Sequence, residues 1–383
     1  MAKLLTLQVA RGVAVNLVVF FHLFSAETLY TAGGVLPSFT VYGFAGVDLF
    51  FVLSGFIMVA VAGRGVGPLQ FLWRRAVRIY PTYWLGSLVV LVILLVAPAM
   101  HHSGVRMPSS LWRSFLLVPD RTSPLLGVGW TLVHEIYFYL VFAVFLALRT
   151  PILVGLIAWG LVIVGLTAFA PNEVAGSPVL QVATNPLTAE FMMGAVVGVL
   201  WRNYYTPAAL FVGGAGLAVL GLSITYAAPA LSLVSISYPA RSIIVNPDLG
   251  AWPVVLFGIP SALIVYALAA VEHRTRSPRP PALLVALGDW SYATYLIHVL
   301  VISAIGRALH FLLPGGGIVA SLLLIATGLV SANLAGAAIH ILFERPSLKL
   351  LHRLGSTVLR RPETEGVDDV RTVGFEPGPR QMP

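Results

Sequence analysis

The first residues able to do chemistry are Arg11 and His22, set in an otherwise apolar segment, LQVARGVAVNLVVFFH. Charged and titratable groups inside apolar spans are costly and mark functional sites by default. On a helix the interval between these two turns the chain through about 1100°, roughly three full turns, so both side chains leave one face about 16 Å apart. A second apolar segment, GVDLFFVLSGF, holds Asp48, with Gly55 further along the same face. A third, GWTLVHEIYFYL, holds His134 and Glu135. His22, Asp48 and Glu135 are predicted at one depth, in the outer third of the membrane. A histidine with carboxylates is the raw material of general base catalysis, because imidazole takes a proton near neutral pH and a carboxylate can orient it. The same trio suits a proton relay in a transporter, and spacing does not separate the two. Purely structural readings are also open. Arg11 can be a topology signal, His22 a group bonded within the bundle, and Asp48 the partner of a neighbouring histidine or arginine.

Further along, FLWRRAVRIYPTYW carries Arg75 and Arg78 at i and i+3, with Arg74 at i and i+4 to Arg78. On a helix these guanidinium groups share one face at the interface, an arrangement suited to phosphate. The alternative is a positively charged loop bordered by an aromatic belt of Trp73, Tyr80, Tyr83 and Trp84. Ser291, Tyr295 and His298 follow i, i+4, i+7, one polar stripe on an apolar helix, which is also the pattern of an interhelical hydrogen-bond seam. Glu190, in NPLTAEFMMG, and Asn333 are weaker candidates of the same kind. The histidines lack metal-ligand spacing, His101–His102 being a lone loop pair, so no metal site is expected. Neither a phosphate-cradling glycine loop nor a GxSxG elbow is present.

The elements that must position these groups follow from composition. Of 383 residues, 58% are hydrophobic and 10% charged, against roughly 25% charged in ordinary soluble domains. Uncharged runs such as Pro151–Ala170 and Pro207–Ala227 are long enough to cross a hydrocarbon core of about 30 Å. Backbone groups in lipid must be satisfied within the span, and continuous apolar runs exclude the alternation of a β-barrel, so helices are forced. Ten spans are predicted, near residues 7–25, 42–62, 80–97, 129–148, 151–170, 186–202, 207–226, 252–271, 291–312 and 317–342. With the N-terminus inside, Lys3, Arg64, Arg74, Arg75, Arg78, Arg149, Arg202, Arg274, Arg276, Arg279, Arg345, Lys349 and Arg353 fall on the cytoplasmic side. Only Arg106, Arg113, Arg121, Arg241 and Arg307 fall outside. The expectation is an all-α polytopic transmembrane helix bundle with both termini cytoplasmic. Residues 1–358 form its membrane domain, and 359–383, rich in Pro, Gly and charge, a disordered cytoplasmic tail. The net charge of +8 is spread over short connections rather than one basic stripe, so it speaks for topology and not for nucleic acid. Cysteine is absent, which excludes a thiol nucleophile, a disulfide framework and Cys-based metal sites. No cleavable signal peptide is evident. No convincing internal repeat is seen, which weakens an inverted-repeat transporter.

Taken together, these segments resemble the acyltransferase-3 family of bacterial integral membrane O-acyltransferases. The opening helix is similar to the family's, its R-x10-H motif falling on Arg11 and His22. GVDLFFVLSGFIM, WRRAVRIYP with RxxR at Arg75 and Arg78, GWTLVHEIYFY, NPLTAEFMMG, SYATYLIH and FERP follow in the family's order. The closest likeness is to its ExoZ-like exopolysaccharide production branch. Some members carry a fused SGNH-type domain where this chain has its short tail. The resemblance implies transfer of an acyl group, most often acetyl from acetyl-CoA, to a hydroxyl of a cell-surface or exported glycan, in the bacterial cytoplasmic membrane. It implies Arg74, Arg75 and Arg78 at the CoA head, Arg11 along the acyl path, and His22 as general base with Glu135 or Asp48 orienting it. Trp130, Tyr139, Tyr295 and His298 are then expected at the substrate. The rival from another class is a secondary transporter or flippase built on Arg11, Asp48 and Glu135.

Overall fold

A computed structural model describes residues 4–31, 34–61, 66–96, 108–203, 208–227, 252–275 and 280–358. Lys3, Arg64, the His101–His102 pair, Arg106, Arg241, Arg276, Arg279 and the tail 359–383 lie outside the described residues. Among the described residues the regular structure is helical, with no strand, and ten helices are long and apolar enough to cross a bilayer. They match all ten expected spans. In order, the helices are α1 (Leu5–Tyr30), α2 (Ala45–Val61), α3 (Pro68–Val96), α4 (Leu111–Leu116), α5 (Trp130–Ala147), α6 (Ile152–Phe169), α7 (Pro171–Gly176), α8 (Pro178–Ala183), α9 (Thr188–Asn203), α10 (Ala209–Leu222), α11 (Ile259–Thr275), α12 (Ala282–Leu312), α13 (Ile318–Ile339) and α14 (Arg345–Val358). A 3₁₀ turn, Ser38–Phe44, leads into α2; π turns Val254–Gly258 and His340–Glu344 lead into α11 and α14.

Two helices start a few turns earlier than hydropathy suggests. α3 begins at Pro68, not near residue 80, and α12 at Ala282, not near 291. Arginines, Pro81 and Asp289 depress local hydropathy there, but they do not stop a helix whose apolar residues keep their period. Pro81 sits inside α3. At 31 residues α12 is about 46 Å long, well beyond a hydrocarbon core of about 30 Å, so one end projects from the membrane. The consequence for the site is that Arg74, Arg75 and Arg78 sit on a rigid helix rather than a loop.

α1 is the central element, packed against α2, α11, α12 and α13. Its crossing with α12 is a backbone contact. A Cβ added to Gly288 would lie 2.0 Å from the Gln8 carbonyl oxygen. The α2–α9 crossing is built likewise, a Cβ on Gly194 falling 2.0 Å from the Val52 oxygen. Lipid supplies no hydrophobic drive between helices, so such small-residue crossings, with their dense dispersion contacts, carry the association. Glu272, at the end of α11, accepts from the Leu5 and Thr6 backbone N–H at 2.6 and 2.9 Å, and from Thr6 Oγ1 at 2.6 Å. It thereby caps donors that the first turn of α1 would leave orphaned. α6 and α10 turn Leu161, Val162, Leu210 and Phe211 outward, as lipid-facing helices must.

Candidate active site

Between α1, α2, α3, α5, α12 and α14 lies a cavity of about 400 Å³. Arg11 enters it from α1, and Arg74, Arg75 and Arg78 from α3, where i, i+1 and i+4 spacing brings them to adjoining faces. Arg78 pairs with Glu344, a buried carboxylate at the end of the π turn, and Glu344 is also held by His340 Nδ1 at 2.9 Å. The Arg78 guanidinium lies over the Tyr292 ring at 5.1 Å from its centroid, and the Tyr292 hydroxyl donates to the Ile79 carbonyl at 2.7 Å. Arg75 sits between Phe71 and Tyr139, 5.8 and 5.9 Å from their ring centroids, with its Nε buried and without a hydrogen-bond partner. Of the four guanidinium groups only Arg78 has a carboxylate within ion-pair distance among the described residues. The cavity therefore holds more positive than negative charge, with donor capacity to spare, the electrostatic character that anionic phosphate requires.

Glu135, from α5, is the carboxylate that faces this cavity. It accepts from the Tyr139 hydroxyl and from Ser54 Oγ, the latter at 3.2 Å. Tyr139 is thus wall and anchor of the arginine chamber.

His22 stands elsewhere, with a different partner from those expected. Its Nδ1 is 2.9 Å from the Val18 carbonyl and 3.1 Å from Nε2 of His298 on α12. Nδ1 of His298 is 2.7 Å from the Tyr295 carbonyl and 3.2 Å from that of Thr294. Carbonyls only accept, so Nδ1 carries the proton on both rings, and His298 Nε2 receives a share of the His22 Nδ1–H. What remains is the lone pair on His22 Nε2, with no hydrogen-bond partner among the described residues. This is the tautomer a general base needs. His298 is fully buried while His22 is half-buried, so the working ring is the more accessible one. Asn333, from α13, donates to Asn16 Oδ1 at 2.9 Å and ties α13 to the same helix.

The expected trio of His22, Asp48 and Glu135 is not one cluster. Asp48 is buried beside Glu190 of α9, whose carboxyl oxygens have no hydrogen-bond partner, and Glu135 belongs to the arginine cavity. Equal depth on three helices does not fix which way each helix is turned. Trp130, expected at the substrate, is buried in an aromatic cluster with Phe51 and His134, at centroid distances of 6.3 and 5.9 Å, and does not line the cavity. Tyr295 and Ser291 do line it; His298 lies just behind Tyr295, rings 5.8 Å apart. Three contributors had no expected role: Glu344, Tyr292 and Ser54. The first two stand in FERP and SYATYLIH, so the motifs held the signal, but a pairing between sequence-distant helices has no local signature. Among the described residues no group of three His, Cys, Asp or Glu side chains could hold a metal ion.

Comparison with known proteins agrees with this architecture. The acyltransferase domain model of the acyltransferase-3 family matches residues 4–341. The exopolysaccharide production protein ExoZ of Rhizobium meliloti (strain 1021) is 32% identical over 332 residues, covering 81% of this chain and 91% of that protein. Acyltransferase MdmB of Streptomyces mycarofaciens is 28% identical over 362 residues, 88% of this chain and 87% of its own. Nodulation protein 10 of Rhizobium leguminosarum bv. viciae is 25% identical over 299 residues, 70% and 74%. No solved structure matches the chain. The chain belongs to the acyltransferase-3 family of multi-pass membrane O-acyltransferases.

Proposed function

We propose that this protein transfers an acetyl group from acetyl-CoA to a hydroxyl of a cell-surface or exported polysaccharide, at the bacterial cytoplasmic membrane. The observation that carries the reading is the cationic cavity of Arg11, Arg74, Arg75 and Arg78, which abuts a histidine pair with one free imidazole nitrogen. Names of relatives, an exopolysaccharide production protein and an acyltransferase among them, support the reaction class and the acceptor class.

In this mechanism Arg74, Arg75 and Arg78 hold the phosphates of the donor, guanidinium forks being matched to phosphate oxygens. Arg11 lies further along the path, about 16 Å of helix rise from His22. His22 Nε2 removes the proton from the acceptor hydroxyl as its oxygen attacks the thioester carbonyl. A C–O bond forms, the C–S bond breaks, and the departing thiolate takes up a proton, so the exchange is neutral overall. His298 positions the His22 ring and shares the Nδ1 proton as charge develops. Glu135 fixes the Tyr139 wall against Arg75 and is a positioning residue. Asp48, buried beside Glu190, has a structural part in this reading. The arginine end of the bundle is cytoplasmic and the termini lie on that side, as the distribution of arginines between connections favours.

The test uses membranes from cells making both the chain and its surface polysaccharide, supplied with acetyl-labelled CoA. Label is expected in polymer, and His22→Ala is expected to reduce its incorporation at least 10²-fold. Normal incorporation by that variant would overturn the role given to His22.

A further inference from the structure

Tyr295 stands at the boundary between the two halves of the site. One side of its ring faces His298, centroids 5.8 Å apart, and its edge meets Phe50 of α2 at 6.0 Å. Its hydroxyl bonds to Thr131 Oγ1 at 3.0 Å and donates to the Val128 carbonyl at 3.3 Å, so the ring is pinned to the start of α5. Phe50, Tyr295 and Thr131 all line the arginine cavity, whereas His22 and His298 do not. Three helices thus converge to put an aromatic wall between the arginine cavity and the histidine pair, where the acyl end of a donor must pass to meet the base. The lining next to that wall is apolar, with Val47 and Phe51 beside Phe50.

We infer that Phe50 and Tyr295 form a partition that sets the length of acyl group the protein transfers, admitting two or three carbons and rejecting longer chains. The inference rests on the acyl-CoA reading above and deepens it. An acetyl group carries one methyl beyond the thioester carbonyl, so among acyl groups it asks the least displacement of the partition on its way to the base. Each added methylene must displace a ring held by hydrogen bonds at one end and by packing at the other. Close-packed interiors give way poorly to such insertions. Removing the Phe50 ring turns the same methylenes from a clash into buried apolar surface, worth about fourfold each.

The experiment supplies acetyl-, propionyl-, butyryl- and hexanoyl-CoA, each labelled in the acyl group, to membranes carrying the full chain and its polysaccharide, and reads the rate of label entering polymer. The wild type is expected to fall steeply between propionyl and butyryl. Phe50→Ala is expected to raise the hexanoyl-to-acetyl ratio at least tenfold, and Phe50→Trp to lower the propionyl-to-acetyl ratio. Should Phe50→Ala fail to fold, Phe50→Leu carries the same test with a smaller expected rise. A hexanoyl-to-acetyl ratio unchanged in a folded variant that still transfers acetyl overturns the partition and leaves the donor reading standing. Transfer from none of the four donors by the wild type overturns the donor reading, and the partition with it.

Discussion

A histidine serves as a base only when one nitrogen is held and the other is left free. In His22 the holding is done by the Val18 carbonyl and by His298, itself held by two carbonyls of its own helix. Removing His298 leaves the Val18 carbonyl to fix the tautomer but takes away the ring that steadies the His22 imidazole and shares its Nδ1 proton, without removing the base. His298→Ala is expected to lower kcat on the order of 10²-fold with the KM for acetyl-CoA little changed, as steady-state rates across donor concentrations would show; a raised KM at normal kcat would assign His298 to donor binding instead. Arg75 gives the complementary case. Its guanidinium is wedged between two aromatic rings with an unspent donor. Arg75→Lys keeps the charge but loses the planar fork. A several-fold rise in donor KM with kcat preserved is expected in the same assay.

At the scale of elements, the contact between α3 and the π turn before α14 is an ion pair with one buried partner. Deleting Arg78 alone leaves Glu344 buried without its ion-pair partner, held by the His340 hydrogen bond, a change that costs about 3–5 kcal/mol. Arg78→Ala is accordingly expected to lower the melting temperature in detergent, and the double variant Arg78→Ala/Glu344→Gln to recover most of that loss without recovering donor affinity. Recovery of both would mean that Arg78 serves the fold alone. The α1–α12 crossing is a second point of leverage. Gly288→Ala forces a methyl group against the Gln8 carbonyl, so the helices must part. Because Arg11 and His22 lie on α1, and Tyr295 and His298 on α12, a shift there separates both halves of the site. Loss of transfer is expected at protein levels near normal, measured by quantitative blotting of the membrane fraction.

For the whole molecule, the site depends on polarity across the membrane, arginines at one end of the bundle and the histidine pair toward the other. If each of the ten long apolar helices crosses once, the chain returns to the side on which it began. Reporters fused after Arg64 and after Val174 are expected on opposite sides, cytoplasmic and external respectively; same-side signals would refute the span count. In the proposed reading donor and acceptor approach from opposite ends of the bundle, so that only the acyl group has to cross the partition at Tyr295.

Composition and apolar periodicity alone determined the helix bundle, the number of spans and the identity of most groups that can do chemistry, because a lipid solvent leaves the backbone a single solution and makes every buried charge conspicuous. The arginine row on α3 was legible for the same reason, since its spacing within one helix is a local property. Which groups meet was decided only by tertiary structure. Hydropathy puts His22 and Glu135 at one depth, yet the packing of the helices sets one against His298 and the other in the arginine cavity. Arg78 finds Glu344 across most of the chain. That packing includes close crossings such as Gly288 on Gln8, a contact between distant helices that leaves no mark in either segment taken alone.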